Sequence, residues 1–332
     1  MTSQLISRAA QAEGGLSPGR SLERFLVPAA ISLVIVVTIV VGGLTNEAFL
    51  TESNVLAILR VAALTGIVAL GATFVTIAGR FFSLALAQTA VFGSVAYALL
   101  LQSGLPFLFA LGMTLVLGVV LGILQGVVVS AGANPIVTTL GAGALLAGLA
   151  GLATGGKSLR ISDDATAWIG NARPFGVPTQ TWAFLIVVVI AFMIMRSTRF
   201  GRAAVLVGAN RATAELAGVP IARVTVAVFV IASVAATIAG IFGAAQFEQA
   251  RMSAFIGLDF DVVAAVLIGG TAIHGGEGSP LRTALGAIFI AMVQNYMLLL
   301  GWSFGPRTLV LGALIMLAVV VFHMARQRGG RS

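Results

Sequence analysis

The chain has 332 residues, 59% of them apolar and 9% charged, with a formal net charge of +8. A water-soluble domain carries roughly 25% charged residues, so the composition excludes an ordinary hydrated surface and points to lipid as the main solvent. The absence of cysteine excludes disulfides, thiolate metal sites and cysteine nucleophiles, and two histidines, His274 and His323, offer little from which to build a metal centre.

In lipid the backbone polar groups must be satisfied internally, which leaves helices or closed barrels. Barrel strands alternate polar and apolar residues. The apolar runs here are continuous, so the expected fold is all-α, a polytopic transmembrane helical bundle. The first run, residues 25–44, is uncharged over 20 positions. As a helix it reaches ~30 Å, a full hydrocarbon core. It exceeds the roughly 7–15 residues of a cleavable signal and reads as a retained first span.

Further spans are expected near 55–78, 83–101, 105–129, 135–154, 180–196, 223–245, 259–274, 282–300 and 307–324, about ten in all. The uncharged stretch 83–156 is too long for one helix. QSGLP at 102–106 and SAGANP at 130–135 divide it, because Gly and Pro clusters punctuate helices. The eighth span is short and runs into the glycine-rich GGTAIHGGEGSP.

Lys and Arg excess marks the cytoplasmic side of a membrane protein. With both termini inside, the inside segments hold 13 of the 19 basic residues and four of the 11 acidic ones. The basicity then reads as an orientation signal rather than a nucleic-acid patch. The expected organisation is a cytoplasmic segment 1–24, one transmembrane domain 25–325 and a cytoplasmic tail 326–332. Two loops are long enough for partners, an external one at 156–179 and an internal one at 196–222.

Residues 151–158, GLATGGKS, satisfy G-x-x-x-x-G-K-[ST]. A phosphate cradle needs a strand before this loop and a helix after it. Here an apolar span precedes it, so it reads as a glycine-rich helix exit with an interfacial Lys157. Gly118, Gly122 and Gly126 recur at i, i+4 and i+8, a small-residue stripe that lets membrane helices approach closely. In the internal loop Asn210 is an N-cap, RATAELA allows about two helical turns, Gly218 fits the C′ position and Pro220 stops continuation. Such a short helix cannot cross a bilayer; it reads as a docking rod for a cytoplasmic motor. Polar side chains inside apolar spans are costly and face a cavity or another helix. Gln88, Gln125, Thr138, Thr139, Gln294 and Asn295 are the candidates for a neutral translocation path, with interhelix hydrogen bonding as the alternative use. Arg80 and Asp261 fall near span ends, where snorkelling accounts for them. No carboxylate is expected well inside a span, and no acid–base pair or activated nucleophile is evident.

Two blocks carry a family resemblance. RFGRAAVLVGANRATAELAGVPIARV (199–224) resembles the cytoplasmic loop of the ribose-type ABC permeases, through Thr198 to Arg202, Gly208, Asn210, Ala214, Gly218 and Val219. GLDFDVVAAVLIGGTAIHGGEGS (257–279) is similar to that family's G-x-E-L-D, A-A-V-x-x-G-G-T and G-G-x-G-S run. Weaker similarity extends the resemblance over about 46–323. It implies the membrane subunit of a monosaccharide importer in the bacterial plasma (inner) membrane. The implied partners are a cytoplasmic ABC ATPase, a periplasmic or extracellular solute-binding protein and a second permease copy or homologue. The chain would bind no cofactor of its own, ATP being held by the partner subunit. Gly208, Asn210, Ala214, Glu215, Leu216 and Gly218 would form the ATPase-coupling element. The family's G-G-x-D-L-S-V-G-S before the third span is here Gly79 followed by RFFSLALA, without the aspartate. Phe81, Phe82 and Ser83 are therefore candidates for a path entrance with altered selectivity. Arg282 and Gln294-Asn295-Tyr296 are further departures. A secondary transporter and an intramembrane enzyme are the other classes; the former wants ionisable groups near the midplane, the latter a catalytic constellation.

Overall fold

The computed structural model describes residues 18–79 and 82–329. They form thirteen α-helices and one two-residue strand pair. In chain order these are α1 (Pro18–Thr45), α2 (Glu52–Ile77), α3 (Leu86–Gln102), α4 (Phe107–Ser130), α5 (Pro135–Thr154), β1 (Leu159–Arg160), α6 (Asp164–Asn171), α7 (Thr179–Ser197), α8 (Arg199–Ala209), α9 (Arg211–Leu216), α10 (Ile221–Phe247), β2 (Gln249–Ala250), α11 (Leu258–Ile268), α12 (Pro280–Leu299) and α13 (Phe304–Gly329). Among the described residues α2, α4, α5, α7, α10 and α12 are long and apolar enough to cross a membrane, and 31–45, 86–102 and 304–320 are shorter apolar helices. The chain is an all-α membrane bundle. The expected segment 1–24 falls largely outside the described residues, and α13 continues through most of the expected tail.

Two helices make the centre. In α2 and α10, 67% of the most apolar window is buried, against 22% in α4 and α5. The buried set explains the difference. Long stretches of α2 and α10 are Ala, Gly, Val and Thr, such as Ala69, Gly71 and Ala72 against Ala232 and Ala235. Small side chains let two backbones approach where large ones would hold them apart. Around this pair the packing repeats. Helices α3 and α4 lie on α10, and α11 and α12 lie on α2, while α5 packs on α3 and α13 on α11. The two sets, α2–α5 and α10–α13, thus run in the same order through the bundle with opposite sense, the arrangement of inverted repeats.

The glycine stripe of α4 faces α10. A Cβ at Gly118 would lie 2.5 Å from Thr237 Oγ1 and one at Gly126 2.6 Å from the Val226 Cα, while one at Gly122 would overlap the Val230 Cα. At Gly122 and Gly126 the nearest atoms are backbone, so they cannot swing aside. Gly122→Val is expected to destabilise the bundle by the ~1–3 kcal/mol typical of overpacking. A lower melting temperature in detergent checks this; an unchanged one would show that α4 is free to move off α10.

One end of the bundle, the rod face, gathers α8, α9, the C-terminal ends of α2 and α7, and the loop 269–279. The opposite hairpin face carries β1 paired antiparallel to β2, Leu159 opposite Ala250, with α6 alongside. There Asp163 caps α6 by accepting from the Thr166 amide at 2.7 Å, and Tyr97 and Thr166 share a 2.6 Å hydroxyl hydrogen bond.

The third and eighth expected spans are not complete helical crossings. Helix α3 begins at Leu86 rather than 83, and α11 ends at Ile268 rather than 274. With 11 residues, α11 reaches only ~16 Å, half of a hydrocarbon core.

Candidate functional site

Both short helices start in the middle of the bundle. The chain leaves α2 at the rod face and runs back through 82–85 before α3 begins. Leu84 N–H donates to Thr139 Oγ1 at 3.2 Å. A Cβ at Gly143 would lie 3.4 Å from the Leu84 carbonyl oxygen, 3.6 Å from the Ala85 Cα and 3.7 Å from Gln88 Cγ. Gly143 is halfway along α5, so the start of α3 sits at mid-depth. Its N-cap is Ala85, whose side chain cannot accept a hydrogen bond. The acceptor comes instead from α11: Ala87 N–H donates to Asp259 Oδ1 at 3.0 Å. Asp259 is the second residue of α11, which Gly257 enters through a left-handed φ of +85°. From this junction α3 runs to the hairpin face and α11 to the rod face. Each contributes the positive end of its dipole, and a carboxylate there is stabilising.

The candidate path residues separate into three groups. Ser83, Thr139 and Gln88 gather at the start of α3; Ser83 is buried and its hydroxyl has no hydrogen-bond partner among the described residues. Phe82 packs on the core, Thr138 is half-buried, and Phe81, like Arg80, lies outside the described residues. Because Ser83 is level with the middle of α5, this segment sits at the centre of the bundle rather than at an entrance. Gln125 is buried on the face of α4 that the glycine stripe presses against α10. Gln294 and Asn295 form a third group towards the hairpin face. Gln294 Nε2 donates to Asp261 Oδ1 at 3.0 Å, and Asn295 exchanges hydrogen bonds of 2.8 and 2.9 Å with Asn54 of α2. These two residues tie helices together. Asp261 is therefore held by Gln294 rather than snorkelling from a span end. The expectation that no carboxylate lies inside a span is overturned by Asp259. The sequence signal available was LDFD at the head of an otherwise apolar run.

On the rod face the expected short helix is present as α9. Asn210 Oδ1 accepts the Thr213 amide at 3.1 Å. Gly218 adopts φ +72°, its amide bonding Glu215 O and the Val219 amide bonding Ala214 O, which closes the C-terminus. Ala214 is buried, Leu216 is 91% exposed, and Arg211 pairs with Glu215 at 3.4 Å across one turn. What sequence reading missed is α8, an 11-residue helix that precedes it, capped by Thr198 Oγ1 on the Gly201 amide. Buried Ala204 and Val207 seat α8 on the bundle.

The end of α8 is knotted to two other segments. A Cβ at Gly208 would overlap the Ile77 carbonyl oxygen and lie 2.6 Å from the Gly276 nitrogen. The Gly276 amide donates to Ile77 O at 2.8 Å, and a Cβ at Gly275 would lie 2.5 Å from the Gly79 Cα. Three backbones therefore touch here: the end of α2, the end of α8 and the loop before α12. Positive φ angles at Gly79, Gly275 and Gly276 make the approach sterically accessible. The knot is two residues from the cap of α9.

Residues 54–321 match the sequence profile of the family described as branched-chain amino acid transport system / permease component. The chain belongs to this permease family. It is 30% identical over 303 residues to the ribose import permease protein of Haemophilus influenzae, covering 90% of this chain and 93% of that one. It is 32% identical over 313 residues to a probable ABC transporter permease protein of Escherichia coli, covering 94% of each. An autoinducer 2 import system permease of Photorhabdus laumondii is 29% identical, with 88% and 89% covered. No solved structure matches.

A permease offers a path rather than a reaction, and its phosphate-loop look-alike follows suit. GLATGGKS closes a helix instead of opening one. Gly155 and Gly156 take left-handed φ of 59° and 73°, and the Gly156 amide bonds back to Gly151 O at 3.2 Å. With a helix before it and β1 after it, the loop lacks the strand-to-helix frame that points amides at a phosphate.

Proposed function

We propose that the chain is the membrane-spanning subunit of an ATP-driven importer for a monosaccharide or a related small polyhydroxylated solute. The observation that carries this reading is α9, a rod capped at both ends that holds Leu216 out to solvent beside the Arg211–Glu215 pair. An exposed aliphatic side chain with a charged rim matches the pocket-and-rim arrangement of a protein–protein contact. The rod face is cytoplasmic in this reading and both termini lie on it, with about ten membrane passages between. The ABC ATPase docks on α9, a binding protein delivers solute to the hairpin face, and a second permease copy or homologue completes the path in the bacterial inner membrane. The family description speaks of branched-chain amino acids, whereas the relatives aligned over about nine-tenths of both chains have ribose and autoinducer 2 in their names. The neutral hydroxyl and amide groups around the start of α3 favour the sugar class.

The test is uptake by vesicles holding the full complex. Leu216→Glu puts an unpaired carboxylate into the docking contact, and is expected to weaken motor docking by about 30-fold or more and to abolish uptake with the permease still inserted. Labelled pentose should compete with hexose but not with leucine. Uptake that survives removal of the ATPase, or that collapses with a proton uncoupler at constant ATP, would sink the reading in favour of a secondary transporter.

A further inference from the structure

A groove of about 860 Å³ opens between α4, α7 and α10 in the half of the bundle nearest the rod face. Its walls are apolar, formed by residues such as Val119, Ile123 and Val127 of α4 and Val226 of α10. Along α4 it extends from Ser130 to Val119, 11 residues or ~17 Å, over half of a ~30 Å hydrocarbon core. Its mouth is different in chemistry. Arg223 lines it, and a smaller adjoining hollow of about 330 Å³ adds Arg199 at the first turn of α8. Among the described residues neither lining contains an acidic side chain, and neither arginine meets a carboxylate. The neighbouring Arg196 is turned away onto the Phe192 ring, 5.7 Å from its centroid.

A long apolar slot ending in two guanidinium groups is complementary to one kind of molecule available at that depth. The slot takes a hydrocarbon chain, and the planar guanidinium forks match phosphate oxygens. The positive end of α8 points to the same place. We propose that this groove binds an anionic glycerophospholipid, its acyl chain lying against α4 and α10 and its phosphate held by Arg199 and Arg223. A lipid seated there wedges α4 and α7 against the α8–α10 segment that carries α9. It would set the stiffness of the element that moves with the motor. The proposal does not depend on which solute crosses, or on whether ATP drives the crossing.

The test uses the full chain purified in mild detergent and examined by native mass spectrometry with added phosphatidylglycerol or phosphatidylcholine of identical acyl chains. Wild-type protein is expected to retain one phosphatidylglycerol preferentially. Arg199→Gln with Arg223→Gln should cut that preference by about thirtyfold, the factor expected for two surface cations at an anionic headgroup. Ala227→Phe, which fills the groove, should displace the lipid whatever its headgroup. Both arginines are exposed, so the double variant folds independently of the outcome for Ala227→Phe. Equal retention of the two lipids by wild type would identify ordinary annular lipid and overturn the proposal. So would an unchanged preference in the double variant, displacement by inorganic phosphate alone, or protection of the groove by a second copy of the chain.

Discussion

Gly208→Ala is expected to cut solute uptake by about tenfold or more while ATP hydrolysis continues. The added methyl overlaps the Ile77 carbonyl oxygen and crowds the Gly276 amide, the two ends of the 2.8 Å hydrogen bond that closes the knot. No flexible side-chain tip is involved, so the backbones must part. Overpacking of this kind costs ~1–3 kcal/mol, which is a factor of about 5–150 in a coupling equilibrium. The rod α9 itself, with its Asn210 and Gly218 caps, lies beyond the substituted residue and should still engage the motor. Uptake per ATP hydrolysed is therefore the informative ratio, and it should fall by about tenfold or more within that range. Gly112→Ala, where a Cβ meets nothing within 4 Å, is the matched control and should be neutral.

The same substitution has a spectroscopic consequence. The chain has no cysteine, so spin labels can be placed at will. Thr213 on α9 and His274 in the loop before α12 are both exposed. If the knot makes α8, the end of α2 and the 269–279 loop one body, the distance between labels at 213 and 274 stays constant through the ATP cycle. The distance from either to Ala131, in the exposed turn between α4 and α5, should change. Substitution at Gly208 should make the 213–274 distance vary. A Gly208→Ala protein with unchanged uptake per ATP and a fixed 213–274 distance would remove the knot from the transmission path.

How much of this was legible in the residues follows the range of the forces involved. The ends of α9 were readable because Asn210, Gly218 and Pro220 act on backbone groups within a few positions of themselves. The glycine stripe of α4 was readable as a packing face because its period is local, although only the structure shows that α10 is what it meets. The start of α3 was not readable. Its own cap position holds Ala85, and the group that satisfies its amide is 172 residues away in sequence. The carboxylate at this helix end is supplied from α11. Helix α8 was hidden for another reason. Its arginines and glycines look like loop, and its apolar face becomes visible only once the surface that buries Ala204 and Val207 is known. Gln294 and Asn295 looked like path residues, but polarity inside an apolar span does not say whether a partner is already present. Asp261 and Asn54 answer that.

Asp259→Ala should be the most damaging single change at mid-depth. It strips the acceptor from Ala87 N–H where water is scarce, and an orphaned donor costs ~1–3 kcal/mol. Loss of a helix cap alone is worth ~1 kcal/mol. Asp259→Asn separates two contributions. Its amide oxygen can still accept from Ala87, so the hydrogen bond survives. What disappears is the attraction between a negative charge and the helix end, typically ~0.3–1 kcal/mol and up to ~2 in partly buried geometry. Thermal stability should therefore be highest in wild type, lower in the asparagine variant and lowest in the alanine variant, and uptake should be lost in the last. The asparagine variant carries the further information. If the carboxylate only joins the half-helices, the Asp259→Asn protein should transport with an unaltered half-saturating concentration. If its second oxygen also accepts from solute hydroxyls, half-saturation should rise with no loss of stability beyond that of the charge–helix-end attraction. An alanine protein as stable and active as wild type would mean that α3 and α11 hold their positions by packing alone, and that the meeting of their ends is not what the path is built around.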